Sequence, residues 1–261
     1  MLVDVGGRRL FLDCAGHGQP TVVLDAGMGR TSETWSLAQP AVASFTRVCA
    51  YDRAGLGRSD PAPRPRTCAD AVADLDALLT GAAVPGPYVL VGHSFGGLIA
   101  RLYAHTHRDR VAGLVLVDAP HPDYPARALD LLPPETPGES AEVAESRRFF
   151  AQAVCEEDPP ESNPEAFAMG RSLSQARAAA GLGDLPLVVL SAGRHEPFPS
   201  DFPPDLAAQV GALVRTTQAE LAWLSSRSAH VLAERSGHDV HRDQPDLVVA
   251  AVRRVVDLSR A

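Results

Sequence analysis

The sequence predicts a doubly wound α/β domain built on a mostly parallel sheet flanked by helices. Three observations carry that prediction. Short apolar runs alternate with helix-length amphipathic segments. The chain has 261 residues, 45% of them apolar, which suits one domain carrying an insertion. At 88–100 an apolar strand, a glycine-flanked serine and an apolar helix follow one another directly.

The elements read in order as follows. Residues 2–5 and 10–14 are strands joined at Gly6-Gly7, a hairpin signal, and 21–24 is a third strand just after Pro20. The period then changes. Trp35, Leu37, Val42 and Phe45 suit a short helix, 48–51 a buried strand, and 69–79 a helix with Val72, Leu75, Leu78 and Leu79 on one face. The strand and helix of 88–100 come next, and 111–117 supplies another buried strand. From Ala119 a proline-rich stretch begins, with helix signals of its own. One covers 140–156, with Val143, Phe149, Phe150, Ala153 and Val154 as apolar positions. A second opens on the N-cap and first-turn proline of Asn163-Pro164-Glu165 and closes at Gly181. Residues 121–183 are therefore expected to form a small helical cap inserted after the sixth strand, over a core of 1–120 and 184–261, because a disordered linker would not carry capped amphipathic helices. Strand signals resume at 185–191. A long helix over 204–225, a last strand at 229–233 and a terminal helix over 245–258 complete the chain.

Composition narrows the chemistry. The net charge is −8 and no basic stretch is dense, which argues against nucleic acid or an anionic membrane surface as a partner. All 24 basic residues are arginine. Without lysine there is no P-loop, no phosphate-binding lysine of the kinase type and no Schiff-base amine. The N-terminus lacks the layout of a signal peptide and no apolar run reaches membrane-spanning length, so a cytoplasmic location is expected. Cys14, Cys49, Cys68 and Cys155 are scattered, with no C-x-x-C pair, and read as buried or incidental thiols. No metal or cofactor is expected.

The pentapeptide Gly92-His93-Ser94-Phe95-Gly96 has the G-x-S-x-G form of a nucleophile elbow, in which the serine sits on a strained strand-to-helix turn. A serine hydroxyl is a poor nucleophile at neutral pH. It needs a neutral imidazole to take its proton, and that imidazole needs a carboxylate to fix its tautomer. Ser94 fits the first role. His238, in Ser236-Gly237-His238 after the final strand, fits the second, with His241 as its rival three residues on.

With these parts in place the whole chain resembles the α/β-hydrolase family. Five segments carry the resemblance: 24–29 (Leu-Asp-Ala-Gly-Met-Gly), where the family has its oxyanion loop; 51–59 (Tyr-Asp-Arg-Ala-Gly-Leu-Gly-Arg-Ser), similar to its D-x-x-G-x-G-x-S turn; the elbow; 114–118, ending in Asp118; and 236–238. The resemblance implies an eight-stranded sheet and a cofactor-free serine hydrolase. The backbone amide of Phe95 is one oxyanion donor, and by resemblance that of Met28 is the other, although the family's usual His-Gly at this loop is replaced by Ala26-Gly27. Two acids stay open. Many relatives carry the acid after the seventh strand, which here offers Glu196 in 193–196, and others at the end of the sixth, which offers Asp118. Asp118 is favoured because it caps an unambiguous buried strand.

Asp52 is expected to bond the turn that Gly55 and Gly57 permit, and for Arg53 and Arg58 a solvated or loop-bracing role is favoured over contact with substrate. Cleavage of a carboxylic ester or lactone is the leading expectation for this small-molecule enzyme. Thioesterase, peptidase, carbon–carbon hydrolase, acyltransferase, hydroxynitrile lyase and a hydrolase-like ligand-binding protein remain open, whereas dehalogenases and epoxide hydrolases of the family use aspartate in place of Ser94. Met28, Phe95, Phe149, Phe150 and Phe167 are expected to line an apolar pocket, or alternatively to bury the cap against the core. The oligomeric state is left open between monomer and homo-oligomer.

Overall fold

A computed structural model of the chain describes residues 1–155, 159, 165–194 and 202–261. Its first two strands, β1 (Leu2–Asp4) and β2 (Arg9–Ala15), form the expected antiparallel hairpin. Gly6 and Gly7 both take positive φ there, and their amides donate to Asp4 Oδ1 at 2.7 and 3.1 Å. The remaining strands are β3 (Thr21–Asp25), β4 (Val48–Asp52), β5 (Tyr88–His93), β6 (Val111–Val117), β7 (Leu187–Ala192) and β8 (Ser228–Ala233).

All eight form one sheet in the order β1-β2-β4-β3-β5-β6-β7-β8. Only the β1–β2 and β2–β4 pairings are antiparallel; from β4 to β8 every neighbour is parallel. The inner strands are buried on both faces, as parallel strands under helices must be. Side chains still alternate. Tyr88 and Leu90 face one layer, containing α2 (Cys68–Gly81) and α3 (Phe95–Thr106), while Val89 and Val91 face the other, containing α1 (Gln39–Ala43) and, further along the chain, the terminal helix of Pro245–Arg260.

Between β6 and β7 the described residues of the insertion carry three helices, α4 (Tyr124–Leu131), α5 (Ala141–Val154) and α6 (Met169–Ala178). α5 and α6 correspond to the two helices expected from the sequence; α4, on its short run between prolines, is additional. The Asn163 cap lies outside the described residues. α6 docks on α2: Cys68 N donates to Ser172 Oγ at 3.2 Å and Ala69 N to Gln175 Oε1 at 2.9 Å. α4 and α5 instead form a separate cluster with α7 (Pro204–Glu220). Short α8 (Val240–Asp243) leads into α9 (Pro245–Arg260).

One expectation is corrected. Cys14 and Cys49 are joined in a disulfide rather than being separate thiols. Antiparallel pairing of β2 with β4 sets the two directly opposite each other, a register that their separation of 35 residues does not reveal. Cys68 and Cys155 are free. No helix among the described residues is long and apolar enough to cross a membrane.

Candidate active site

The site is assembled where β3, β5, β6 and β8 end. Ser94 leaves β5 with φ 50 and ψ −124, a conformation that L residues rarely adopt, and starts α3. The glycines around it are demanded by contact. A Cβ on Gly92 would lie 2.4 Å from Gly96 O, and one on Gly96 would lie 2.5 Å from Asp25 O, so the new helix can come down on the β3 loop only without side chains.

Asp118 follows β6 with φ 43, a second strained residue at the same sheet edge. Pairing of His93 with Val117 brings the two strand ends together, and Ser94 N donates to Val117 O at 3.0 Å. Both carboxylate oxygens of Asp118 are engaged. Ala192 N donates to Oδ1 at 2.9 Å, and Oδ2 lies 2.7 Å from His238 Nδ1. This bond to Asp118 raises the His238 pKa above its ordinary 6.5, against the opposing effect of partial burial. With Nδ1 committed to Asp118, Nε2 is the ring atom left to exchange protons. Glu196, the other candidate acid, lies outside the described residues.

Beneath His238 are two more imidazoles. The His93 ring lies 4.7 Å from that of His238 and 4.4 Å from that of His241. His93 Nε2 is 3.0 Å from His238 O, so it carries the proton and donates. Burial, reinforced by the neighbouring histidines, pushes His93 down to about 2, and burial pushes His241 down to about 4. Both are neutral at physiological pH. His93, Asp239 and His241 each bring one possible metal-ligand atom to within 4.8 Å of the others. His241, the rival base, is 3% exposed and packs on Trp35, which leaves His238 as the accessible imidazole.

The expected pocket residues divide. Phe95 and Phe167 are buried with ring centroids 4.5 Å apart, and half-buried Met28 packs against the same cluster. Phe149 and Phe150 do not join them. Phe150 turns inward to Tyr124 and the α4–α5–α7 cluster, and Phe149, one position earlier on the helix and so about 100° around it, is 64% exposed. Of the paired aromatics of α5, Phe150 thus packs the α4–α5–α7 cluster and Phe149 lies on the surface.

Asp52 braces its turn as expected, accepting from Ser32 N at 2.8 Å and Arg58 N at 3.0 Å. Arg58 is half-exposed, with its guanidinium over the Phe11 ring. Arg53 takes the bracing rather than the solvated alternative: it is buried between the carboxylates of Asp25 and Glu165 and donates to Ala26 O and Gly27 O. Neither carboxylate was singled out from sequence. The available signal was a charged pair, Asp52-Arg53, at the end of an otherwise apolar strand, since a charge in that position needs partners.

An eight-stranded sheet of this order with a strained serine at the end of β5 defines an α/β-hydrolase architecture. The model of the alpha/beta hydrolase family matches residues 22–251, and the chain belongs to that family. It is 28% identical to the Bacillus subtilis protein YqjL, over 92% of this chain and 87% of that one. Among solved structures it is similar to a thermophilic esterase from Thermogutta terrifontis (TM-score 0.63, 21% identity, 100% of this chain and 99% of that one). It is also similar to Est816, described as an N-acyl homoserine lactone degrading enzyme (TM-score 0.62, 18% identity, 97% and 99%).

Proposed function

We propose that this hydrolase cleaves a carboxylic ester or lactone through an acyl-enzyme on Ser94. The observation that carries the reading is the His238 Nδ1–Asp118 Oδ2 bond of 2.7 Å beside the elbow. In the proposed cycle His238 Nε2 takes the Ser94 proton as Oγ attacks the carbonyl, and then delivers it to the leaving alkoxide. Water, activated by the same nitrogen, releases the acid. Asp118 holds the imidazole in the Nδ1–H tautomer. The backbone N–H groups of Phe95 and Met28 receive the developing oxyanion, each worth about 2.7–4 kcal/mol. No metal or cofactor takes part.

Residues 121–183 act as a cap in this reading, seated on the core by Phe167 packed on Phe95, and half-buried Met28 is the apolar side chain of the oxyanion loop left to meet an acyl group. Ester and lactone substrates are favoured by analogy with the esterase and the lactone-degrading enzyme that share the fold.

A fluorophosphonate probe tests the chemistry. Wild type is expected to label at a single serine and Ser94→Ala not at all, with parallel loss of p-nitrophenyl ester turnover. An unlabelled wild type would instead favour a ligand-binding protein on a hydrolase frame. Asp118→Asn against Glu196→Gln on the same esters decides the acid: a loss confined to Glu196→Gln would remove Asp118 from the role.

A further inference from the structure

We infer that Arg53, clamped by Glu165 of the insertion, is a positioning residue that aims the Met28 N–H into the oxyanion site. The inference rests on the acyl-transfer reading above.

The Arg53 guanidinium stands immediately after β4. Its Nη1 donates to Asp25 Oδ1 at 2.6 Å and to Ala26 O, its Nη2 to Gly27 O at 2.7 Å, and its Nε to Glu165 Oε1 at 2.6 Å. Glu165 Oε2 accepts from Nη2 at 3.0 Å and also from Gly29 N at 2.6 Å. The side chains of Arg53, Asp25 and Glu165 are 3%, 3% and 0% exposed. These bonds fall on Ala26, Gly27 and Gly29 of the loop after β3 or on the two carboxylates that hold Arg53 in place.

Peptide geometry turns this grip into direction. The Met28 N–H belongs to the same peptide unit as Gly27 C=O, and that unit is trans, since the cis bonds are those preceding Pro20, Pro65 and Pro87. In a trans peptide the N–H points opposite to the C=O. Holding Gly27 O on Arg53 therefore turns the Met28 N–H away from Arg53. The loop lies against the elbow: a Cβ on Gly27 would sit 3.4 Å from Ser94 Cβ and 3.0 Å from His93 Nδ1. Glu165 fixes the next free amide, Gly29 N, so the loop is held on both sides of the donor.

A buried guanidinium needs charge compensation, and Asp25 at the end of β3 supplies one carboxylate. The second comes from 112 residues along the chain, which ties the insertion to the oxyanion loop. Arginine is required because its planar fork reaches several acceptors at once, whereas an ammonium is a point charge.

Glu165→Gln and Arg53→Lys in the full chain test the inference through three readouts: ester kinetics, affinity for an alkyl boronic acid as a tetrahedral mimic, and amide exchange of the peptide spanning 26–30. Expected are faster exchange at 26–30, a kcat loss of about 10- to 100-fold with KM within about twofold, and a matching loss of boronic acid affinity. A role confined to stability would lower the thermal midpoint and leave kcat and boronic acid affinity at wild-type values, and that result overturns the inference. Unchanged exchange at 26–30 overturns it as well. If Arg53→Lys does not fold, Glu165→Gln decides alone, and if that fails Glu165→Asp, which keeps the charge, takes its place with the same expectations at smaller amplitude. A wild type that fluorophosphonate does not label sinks the hydrolase reading and this inference together. A labelled wild type with an unaltered Glu165→Gln sinks the inference alone.

Discussion

His238 and Asp118 lie 120 residues apart in the chain, and their side chains meet at 2.7 Å. The bond holds the imidazolium form, so the His238 pKa is raised above 6.5. A base must be neutral to act. The acid limb of kcat/KM is therefore expected at a pH above the ordinary imidazole value, and activity should fall as pH drops through it. Asp118→Asn should move the limb downward and lower kcat by up to about 10⁴-fold, as loss of the correct tautomer does elsewhere. The stability contributed by the pair runs in the opposite direction: it is full below pH 6.5 and is lost as pH rises through the raised value. A pH–rate profile with its acid limb below 6.5 would remove the bond from the mechanism.

The two buried imidazoles beneath it should behave differently. With His93 at about 2 and His241 at about 4, neither is expected to titrate above pH 5, whereas His238 should titrate above its ordinary 6.5. Histidine ring NMR in the wild type and in single substitutions reads this directly. Their pKa values are lower folded than unfolded, so the unfolded state binds more protons below pH 6.5. Stability should then decline from pH 6.5 toward 4 with a slope of about 1.4 kcal/mol per pH unit for each histidine. Urea midpoints across that range check it.

Close contact at the elbow makes a paired prediction. A Cβ on Gly97 would stand 2.3 Å from Ala119 Cβ. Gly97→Ala should destabilise by about 1–3 kcal/mol through overpacking. Adding Ala119→Gly should recover part of that loss, because it removes the atom in the way. Urea unfolding of the two single variants and the double variant measures the coupling.

The aromatic residues of the insertion should separate by burial. Phe167 is 1% exposed and packs on Phe95, so Phe167→Ala is expected to cost about 3–5 kcal/mol. Phe149 is 64% exposed, and Phe149→Ala should stay within about 0.5 kcal/mol of wild type. Denaturant midpoints check both, and a loss at Phe149→Ala well above that bound would mean that α5 buries this face.

Much of this molecule was legible as pattern. The parallel strands appear as apolar runs because they are covered on both faces, and the elbow appears because glycine is the only residue that fits at 92 and 96. What depends on register was not legible. Nothing in the spacing of Cys14 and Cys49 says that β2 lies antiparallel to β4, and that pairing is what joins them. Arg53 and Glu165 are hidden for a similar reason: each resembles a surface charge until tertiary packing brings them together. Phe149 and Phe150 are identical as residues, and the helix rotation between them decided which one was buried.

The clamp on the β3 loop also bears on how such enzymes can be re-engineered. An insertion between β6 and β7 looks like an interchangeable module, to be swapped among relatives when a new substrate is wanted. In this chain it supplies half of the countercharge for a cation sealed inside the core, because Glu165 belongs to it and Arg53 does not. A graft without a carboxylate at that position would leave the guanidinium with Asp25 alone and the Gly29 amide without its acceptor, so any transplant has to bring its own anion.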